Sequence, residues 1–416
     1  MILSYVQKNL LTSIVFCSIS LVGDVYMVEE LFYKKILKNL FSDPVQITLW
    51  NGETIQYGEG EPQFHVTFHK PLSKKEIAKD PSIAFGEAYM NGDLEIEGNL
   101  EKAIQSIYKR QDSFLGDSKL QYFKSKWNFS KQKNKDDIAH HYDIGNDFYK
   151  LWLDETMTYS CAYFQNEQDS LTTAQHNKVN HILKKLNLQK GDTLLDIGCG
   201  WGELITAAAE QYGVKAMGVT LSEEQYAKTS ERIKQEGLTD LVEVSLLDYR
   251  DIKNRKFDKI VSVGMIEHVG KDNITQYFET VNALLNDGGI SLLHCITSPA
   301  NGGATNGWIE KYIFPGGYVP AVNELITNMT NEQFYIVDVE SLRRHYGKTL
   351  QHWARNFENV LEEVRKTKDE RFIRMWRLYL NACAASFFTG NIDLHQFVFT
   401  KGINDTIPMT RSYMYE

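Results

Sequence analysis

The chain has 416 residues, a net charge of −9, 43% hydrophobic residues and 24% charged residues. That length exceeds one typical domain and predicts two, each with an ample core. The acidic balance excludes general nucleic-acid binding, and it excludes attachment to anionic lipid by overall charge, though a local basic patch could still act.

Residues 10–23 form an apolar stretch that resembles a signal-peptide core but is short for a membrane span. No small-residue cleavage site follows it, and Met27 opens an amphipathic segment over 28–40. Residues 1–26 therefore read as an upstream extension, with a signal or anchor as the lesser reading. Residues 27–116 read as a small α+β domain. Strands are predicted over 45–50 and 64–68, with Asn51-Gly52 as a hairpin turn. Helices are predicted over 84–90 and 100–108, separated by Asn91-Gly92-Asp93. A basic-aromatic linker spans 117–136. Its stretch from Lys119 to Lys135 holds six lysines and no acids, interleaved with Tyr122, Phe123, Trp127 and Phe129. Two readings stand for it, a solvated linker and a segment lying at a lipid interface.

From 137 to 416 strand and helix alternate, which predicts an α/β, doubly wound, Rossmann-like sheet with helical additions. Strands are expected over 193–197, 215–220, 242–246, 259–263 and 290–296, with Gly288-Gly289 breaking the chain before the fifth. A final pair over 334–339 and 396–400 is expected to complete the sheet, and helices over 352–366 and 369–388 to flank it.

The strand at 193–197 runs into Gly198-Cys199-Gly200-Trp201-Gly202 and then a helix. Glycines at alternate positions let backbone approach a ligand closely, and the helix N-terminus offers unpaired N–H groups. Asp196 at the strand's carboxyl end repels phosphate and suits an ammonium or a hydroxyl. The spacing is not that of a dinucleotide fingerprint. The site is built for a small nucleoside cofactor without a diphosphate, S-adenosylmethionine being the candidate. The second strand ends at Thr220 rather than at an acid, so Gln225 is a candidate for the ribose. Ser222-Glu223-Glu224-Gln225 equally matches a helix capping box. Asp248-Tyr249-Arg250 after the third strand is a candidate adenine site or an ordinary polar loop. Glu267, just past the fourth strand in Gly264-Met265-Ile266-Glu267-His268-Val269-Gly270, is costly to bury unpaired, and reads as a capping or salt-bridging residue or, from its place at the carboxyl end of the sheet, as a functional one. His294 lies in an apolar strand and reads as a core histidine or, near the carboxyl edge, a catalyst. Two polar-aromatic clusters, from His140 to Tyr149 and from Tyr159 to Phe164, read as a lid or gateway. Five cysteines (Cys17, Cys161, Cys199, Cys295, Cys383) show no C-x-x-C pair, which points to neither a metal site nor a disulfide framework and fits a reducing, cytosolic setting.

Taken together these segments resemble the cyclopropane fatty acid synthase family. The matching pieces are His141-Tyr142-Asp143-Ile144-Gly145-Asn146, Tyr159-Ser160-Cys161-Ala162-Tyr163, Asp196-Ile197 with the glycine loop, Gly264-Met265-Ile266-Glu267-His268-Val269-Gly270, Trp308-Ile309-Glu310-Lys311-Tyr312-Ile313-Phe314-Pro315-Gly316-Gly317 and, more loosely, Tyr379-Leu380-Asn381-Ala382-Cys383-Ala384. The small domain matches through Gly86-Glu87-Ala88-Tyr89-Met90-Asn91-Gly92-Asp93, whereas residues 1–26 match nothing. The resemblance implies an S-adenosylmethionine-dependent methyltransferase domain over 137–416. Its activity would be methylene transfer to the cis double bond of a phospholipid acyl chain, through a carbocation deprotonated by bound bicarbonate. Methylation without ring closure, or of a small amine, is the alternative. The bicarbonate holders would be the side chains of Glu267, His294 and Tyr346 and the backbone N–H groups of Cys161 and Ile296. Cofactor contacts would be Tyr159, Ser160, Gly198, Gly200, Gly202, Thr220, Gln225, Tyr249 and Arg250, with no metal. The resemblance also implies a cytoplasmic enzyme peripheral on the inner membrane face, a membrane phospholipid as partner, no nucleic acid, and a homodimer.

Overall fold

The structure is a computed structural model and describes residues 22–110, 144–300 and 302–415. The basic-aromatic linker, His141-Tyr142-Asp143 and most of the stretch 1–26 lie outside the described residues. Residues 22–26 begin a helix, Val22–Leu37.

The small domain is built on a four-stranded sheet, β1 (Val45–Thr48), β2 (Thr54–Tyr57), β3 (Phe64–Phe68) and β4 (Leu94–Glu97), in the order β2-β1-β3-β4. Asn51-Gly52 makes the expected hairpin, but it closes on β2, and β1 runs parallel to β3. The polar β2, with no buried residue, carried no apolar signal. Alternation fixes which side chains point inward. Val45, Ile47, Phe64, Val66 and Phe68 pack there against Tyr33 and Leu37 of the first helix. The helices Pro81–Asn91 and Leu100–Tyr108 stand where expected. Asp80 caps the first of them, and Gly92 ends it in the left-handed conformation.

The large domain is a seven-stranded sheet in the order β12-β13-β9-β8-β5-β6-β7. Its strands are β5 (Thr193–Ile197), β6 (Lys215–Thr220), β7 (Val242–Leu246), β8 (Phe257–Val263), β9 (Leu285–Thr297), β12 (Phe334–Ser341) and β13 (Asp393–Lys401), while β10 (Gly303–Ala304) and β11 (Tyr318–Val319) form a separate ribbon. β5 to β9 are parallel, and β13 inserts antiparallel between β9 and β12. The doubly wound sheet, including the closing strand pair, is as read from the sequence. The chain leaves β5 towards β6 on one side and reaches β8 on the other. That puts the switch point, where such sheets bind ligands, at the carboxyl ends of β5 and β8.

Two expectations need correction. Gly288-Gly289 does not break the chain before β9: the strand runs through it as a bulge, the register jumping from Leu285 to Ile290, and Gly288 supplies the positive φ that the bulge uses. The helix expected over 352–366 is Arg343–Asn359 followed by a short turn, Leu361–Val364. It passes through Gly347, where a side chain would collide with the Phe388 ring at 2.9 Å, so glycine here is a packing residue and not a stop.

The helix Glu370–Thr389 joins the domains, packing on Arg343–Asn359, Leu100–Tyr108 and Pro81–Asn91. Gly86 lets the Trp308 ring press against the small domain, and Trp308 Nε1 donates to Met90 Sδ at 3.2 Å. Between sheet and helices lies an aromatic cluster that includes Tyr149, Trp152, Tyr159, Trp353, Trp376 and Tyr379.

Candidate active site

A cavity opens at the switch point. β5 ends at Ile197, and Gly198, Gly200 and Gly202 follow with φ of 88°, 54° and 85°, a conformation that any side chain would strain. Gly198 and Gly200 line the cavity. Gly202 does not: a Cβ there would meet Thr229 Cγ2 at 2.5 Å, so its lack of a side chain lets two helices approach. The helix Glu203–Tyr212 starts at this point with its N-terminus towards the loop.

The other cofactor candidates come from neighbouring strand ends and one upstream segment. Thr220 and Gln225 line the cavity, tied by Thr220 Oγ1 donating to Gln225 Oε1 at 2.7 Å. Ser222 Oγ accepts from Gln225 N at 3.3 Å, so the helix cap and the cavity role coexist. Tyr249 and Arg250 line it past β7, and Asp248 neutralises Arg250 through two hydrogen bonds of 2.9 and 2.6 Å. Tyr159 and Ser160 close the wall, the Tyr159 hydroxyl 2.7 Å from that of Tyr379.

The five remaining candidates are not part of the cavity lining; Glu267 lies in sequence between Met265 and His268, which are. Glu267 sits in the turn Ile266–His268, and its Oε1 accepts from the Ile296 backbone N–H at 2.7 Å. That N–H is therefore engaged by Glu267. Oε2 is shut from solvent and has no hydrogen-bond partner, and burial pushes the carboxyl up to about 7. His294 is two residues before Ile296 on β9 and faces the same side. Gln396 Nε2 donates to His294 Nδ1 at 3.1 Å, which leaves Nε2–H as the outward donor; Nε2 is buried with no partner. Burial holds this imidazole neutral, well below its usual range. Leu342 links the rest: its carbonyl accepts from Tyr346 N at 3.1 Å and lies 4.0 Å from Cys161 Sγ, and its N–H donates to Leu394, which pairs with Ile296. The Tyr346 ring packs on Phe387 and Trp353 with centroids 4.6 and 6.0 Å away.

Lys178, absent from the candidates above, also lines the cavity. It is 4% exposed, and its Nζ donates to Ser160 Oγ at 3.1 Å. Burial lowers its ammonium to about 8, and burial raises Asp196 to about 7. A signal existed. Leu171, Ala174, Lys178 and Ile182 recur at the spacing of a buried helical stripe, and a lysine on such a stripe is unusual. His268, another wall residue, is pushed down to about 4 by burial.

The family described as mycolic acid cyclopropane synthetase matches residues 129–397, and a domain of unknown function matches 32–119. A probable fatty acid methyltransferase of Pseudomonas putida is 39% identical, covering 89% of this chain and 96% of the relative. The cyclopropane-fatty-acyl-phospholipid synthase of Escherichia coli K12 is 38% identical, covering 81% and 88%. The crystal structure of mycolic acid cyclopropane synthase CmaA1 complexed with SAH and CTAB superposes with a TM-score of 0.61 at 33% identity, covering 64% of this chain and 98% of that one. With the glycine loop, the switch-point cavity and these matches in hand, the chain belongs to the mycolic acid cyclopropane synthetase family and is a methyltransferase.

Proposed function

We propose that the enzyme transfers a methylene unit from S-adenosylmethionine to the cis double bond of unsaturated phospholipid acyl chains and closes a cyclopropane ring. The observation that carries this reading is the pair of buried, unpartnered polar atoms, Glu267 Oε2 and His294 Nε2, with Glu267 between Met265 and His268 of the cavity lining. Buried polar groups without partners are rare and call for a ligand. A neutral imidazole N–H and a carboxyl poised near 7 suit a small oxyanion that also carries a hydroxyl, which fits bicarbonate. S-adenosylmethionine would supply the methyl group, and bicarbonate would supply a base.

The chain's own residues do the rest. Tyr159, Ser160, Gly198, Gly200, Thr220, Gln225, Tyr249 and Arg250 would bind and orient the cofactor, and Gly202 would hold the loop's shape. An alkene is a weak nucleophile, so alignment contributes heavily to the rate. Glu267, positioned by the Ile296 N–H, and His294, positioned by Gln396, would hold the base, with Tyr346 and Cys161 beside them. Tyr159 lines the cavity, and Trp353, Tyr379 and Phe314 pack with it in one aromatic cluster, rings that would help to exclude water from a carbocation. Among the described residues no helix is long and apolar enough to cross a membrane. An acyl substrate then calls for peripheral contact with the inner membrane face from the cytoplasm, and a homodimer is part of the same reading.

One observation favours a second reading, methylation without ring closure: a relative at 39% identity is a probable fatty acid methyltransferase. Mass spectrometry of monounsaturated phospholipid vesicles incubated with enzyme and S-adenosylmethionine separates the two. A gain of one CH2 that resists hydrogenation as a ring supports cyclopropanation. A methyl branch supports the second reading, and no change refutes both.

A further inference from the structure

Lys178 is the anomaly of the cavity. An ammonium at 4% exposure is costly to bury unless it is paired. Here, among the described residues, its hydrogen bond goes to a neutral hydroxyl, Ser160 Oγ, at 3.1 Å, and no carboxylate forms an ion pair with it. Asp196 is a second anomaly on the same cavity wall, 2% exposed, with Oδ1 buried and unpartnered. Fold stability alone does not explain an acid and a base that share one cavity and leave each other unpaired. A ligand carrying both charges does explain them.

The cofactor's amino-acid end is such a ligand, a zwitterion with one ammonium and one carboxylate. Given S-adenosylmethionine as cofactor, the reading on which this rests, we propose that Lys178 receives the cofactor's α-carboxylate, with Ser160 as a second donor to it, while Asp196 takes the α-ammonium. The helix Leu171–Lys185 thereby becomes part of the cofactor site. Lys178 then does three things: it pairs a buried charge on binding, it orients the methionine end, and it rejects nucleosides that lack the carboxylate. The lowered ammonium, at about 8, still leaves it mostly charged at neutral pH and fits a group waiting for its counter-charge.

The test is calorimetric binding to the full-length enzyme, with no turnover involved. Two probes are used: S-adenosylhomocysteine and its decarboxylated analogue, which keeps the amine and lacks the carboxylate. The wild type is expected to prefer S-adenosylhomocysteine by about 10- to 100-fold, the range for a charge-assisted contact. Lys178→Met, close in shape and free of the buried charge, should lose that preference by weakening S-adenosylhomocysteine and leaving the analogue unchanged. Equal weakening of both probes would mean that Lys178 only supports the wall, and would overturn the proposal, as would no weakening of either. The wild-type comparison stands by itself if the variant misfolds: equal affinity for the two probes overturns the carboxylate contact. A wild type that binds neither probe refutes the cofactor reading itself, which is a distinguishable failure.

Discussion

Glu267→Gln tests the heart of the site in two independent ways. In the fold the carboxyl is raised from 4.5 to about 7 by burial. Below the unfolded value both states hold the proton and burial costs nothing. As pH climbs from there towards 7 the unfolded chain ionises first, so stability falls, and the full penalty is present above 7. The difference between 4.5 and about 7, at about 1.4 kcal/mol per pH unit, caps that penalty at about 3.5 kcal/mol. The residue as a whole is only partly buried, so solvent reduces the figure, and about 1–3 kcal/mol is expected. Glutamine carries no such penalty, and its amide oxygen can still accept from the Ile296 N–H. Urea denaturation followed by tryptophan fluorescence should therefore find the variant no more stable than wild type at about pH 4, and more stable by that margin at about pH 8.5. Turnover should fall by about 100-fold or more, because the carboxylate that holds the base is gone, with S-adenosylhomocysteine affinity kept. Unchanged turnover would remove Glu267 from the chemistry. A stability difference that does not grow with pH would refute the burial argument.

Glu340 tests a buried network outside the site. Burial alone would raise its carboxyl, but hydrogen bonds from His181 and Lys185 hold it at about 2. Its stabilisation is present above the usual carboxylate range and lost as pH falls towards 2. Glu340→Gln removes the nearer of the two carboxylates paired with the fully buried Lys185, leaving Asp338 at 3.4 Å, and should cost about 1–3 kcal/mol by denaturant titration at neutral pH. Gln396→Leu leaves His294 Nδ1 unpaired; turnover should drop by about 10-fold or more with cofactor affinity unchanged, read by single-turnover kinetics and calorimetry. Gly202→Ala puts a methyl 2.5 Å from Thr229 Cγ2 at a φ of 85°. Destabilisation of about 1–3 kcal/mol in thermal melts is expected, with weakened cofactor binding following from the displaced loop.

The sheet was legible because its strands are buried runs bounded by glycine, and the switch point follows from their order. β7, with only its first residue buried, was still found, since Val242 and Val244 alternate. What escaped was non-local. β2 hid because its partner, not its own residues, makes it a strand. The helix start at Arg343 hid because Gly347 is read locally as a breaker and is tolerated only because Phe388 packs there. The same limit applies to the site. Glu267 and the glycine loop announce themselves by position next to a buried strand. Lys178 sits in a polar helix whose mean character says solvent, and only its place on the buried stripe betrays it. Gln396, on a strand 102 residues away, can be matched to His294 only once the register is known.

The arrangement of charge follows one rule. Close to where a sulfonium and a carbocation would sit, the basic groups are neutral: His268 is pushed down to about 4 by burial, and His294 lies well below its usual range. Arg250 on the same wall is neutralised by Asp248. A cation beside a developing cation would raise the barrier, and in a water-poor cavity that repulsion is weakly screened. Burial is the largest cause for both imidazoles, and for His294 the charges of Lys178 and Lys185 add to it. Lys178 is the exception: it donates to Ser160 in a cavity that Asp196 also lines, where an anionic carboxylate would consume its charge. A site meant for an anionic substrate such as a phosphate ester would be built the other way, with the cations grouped and unpaired. The acid–base pattern thus favours a neutral, apolar acceptor over a charged one, and an acyl chain is such an acceptor.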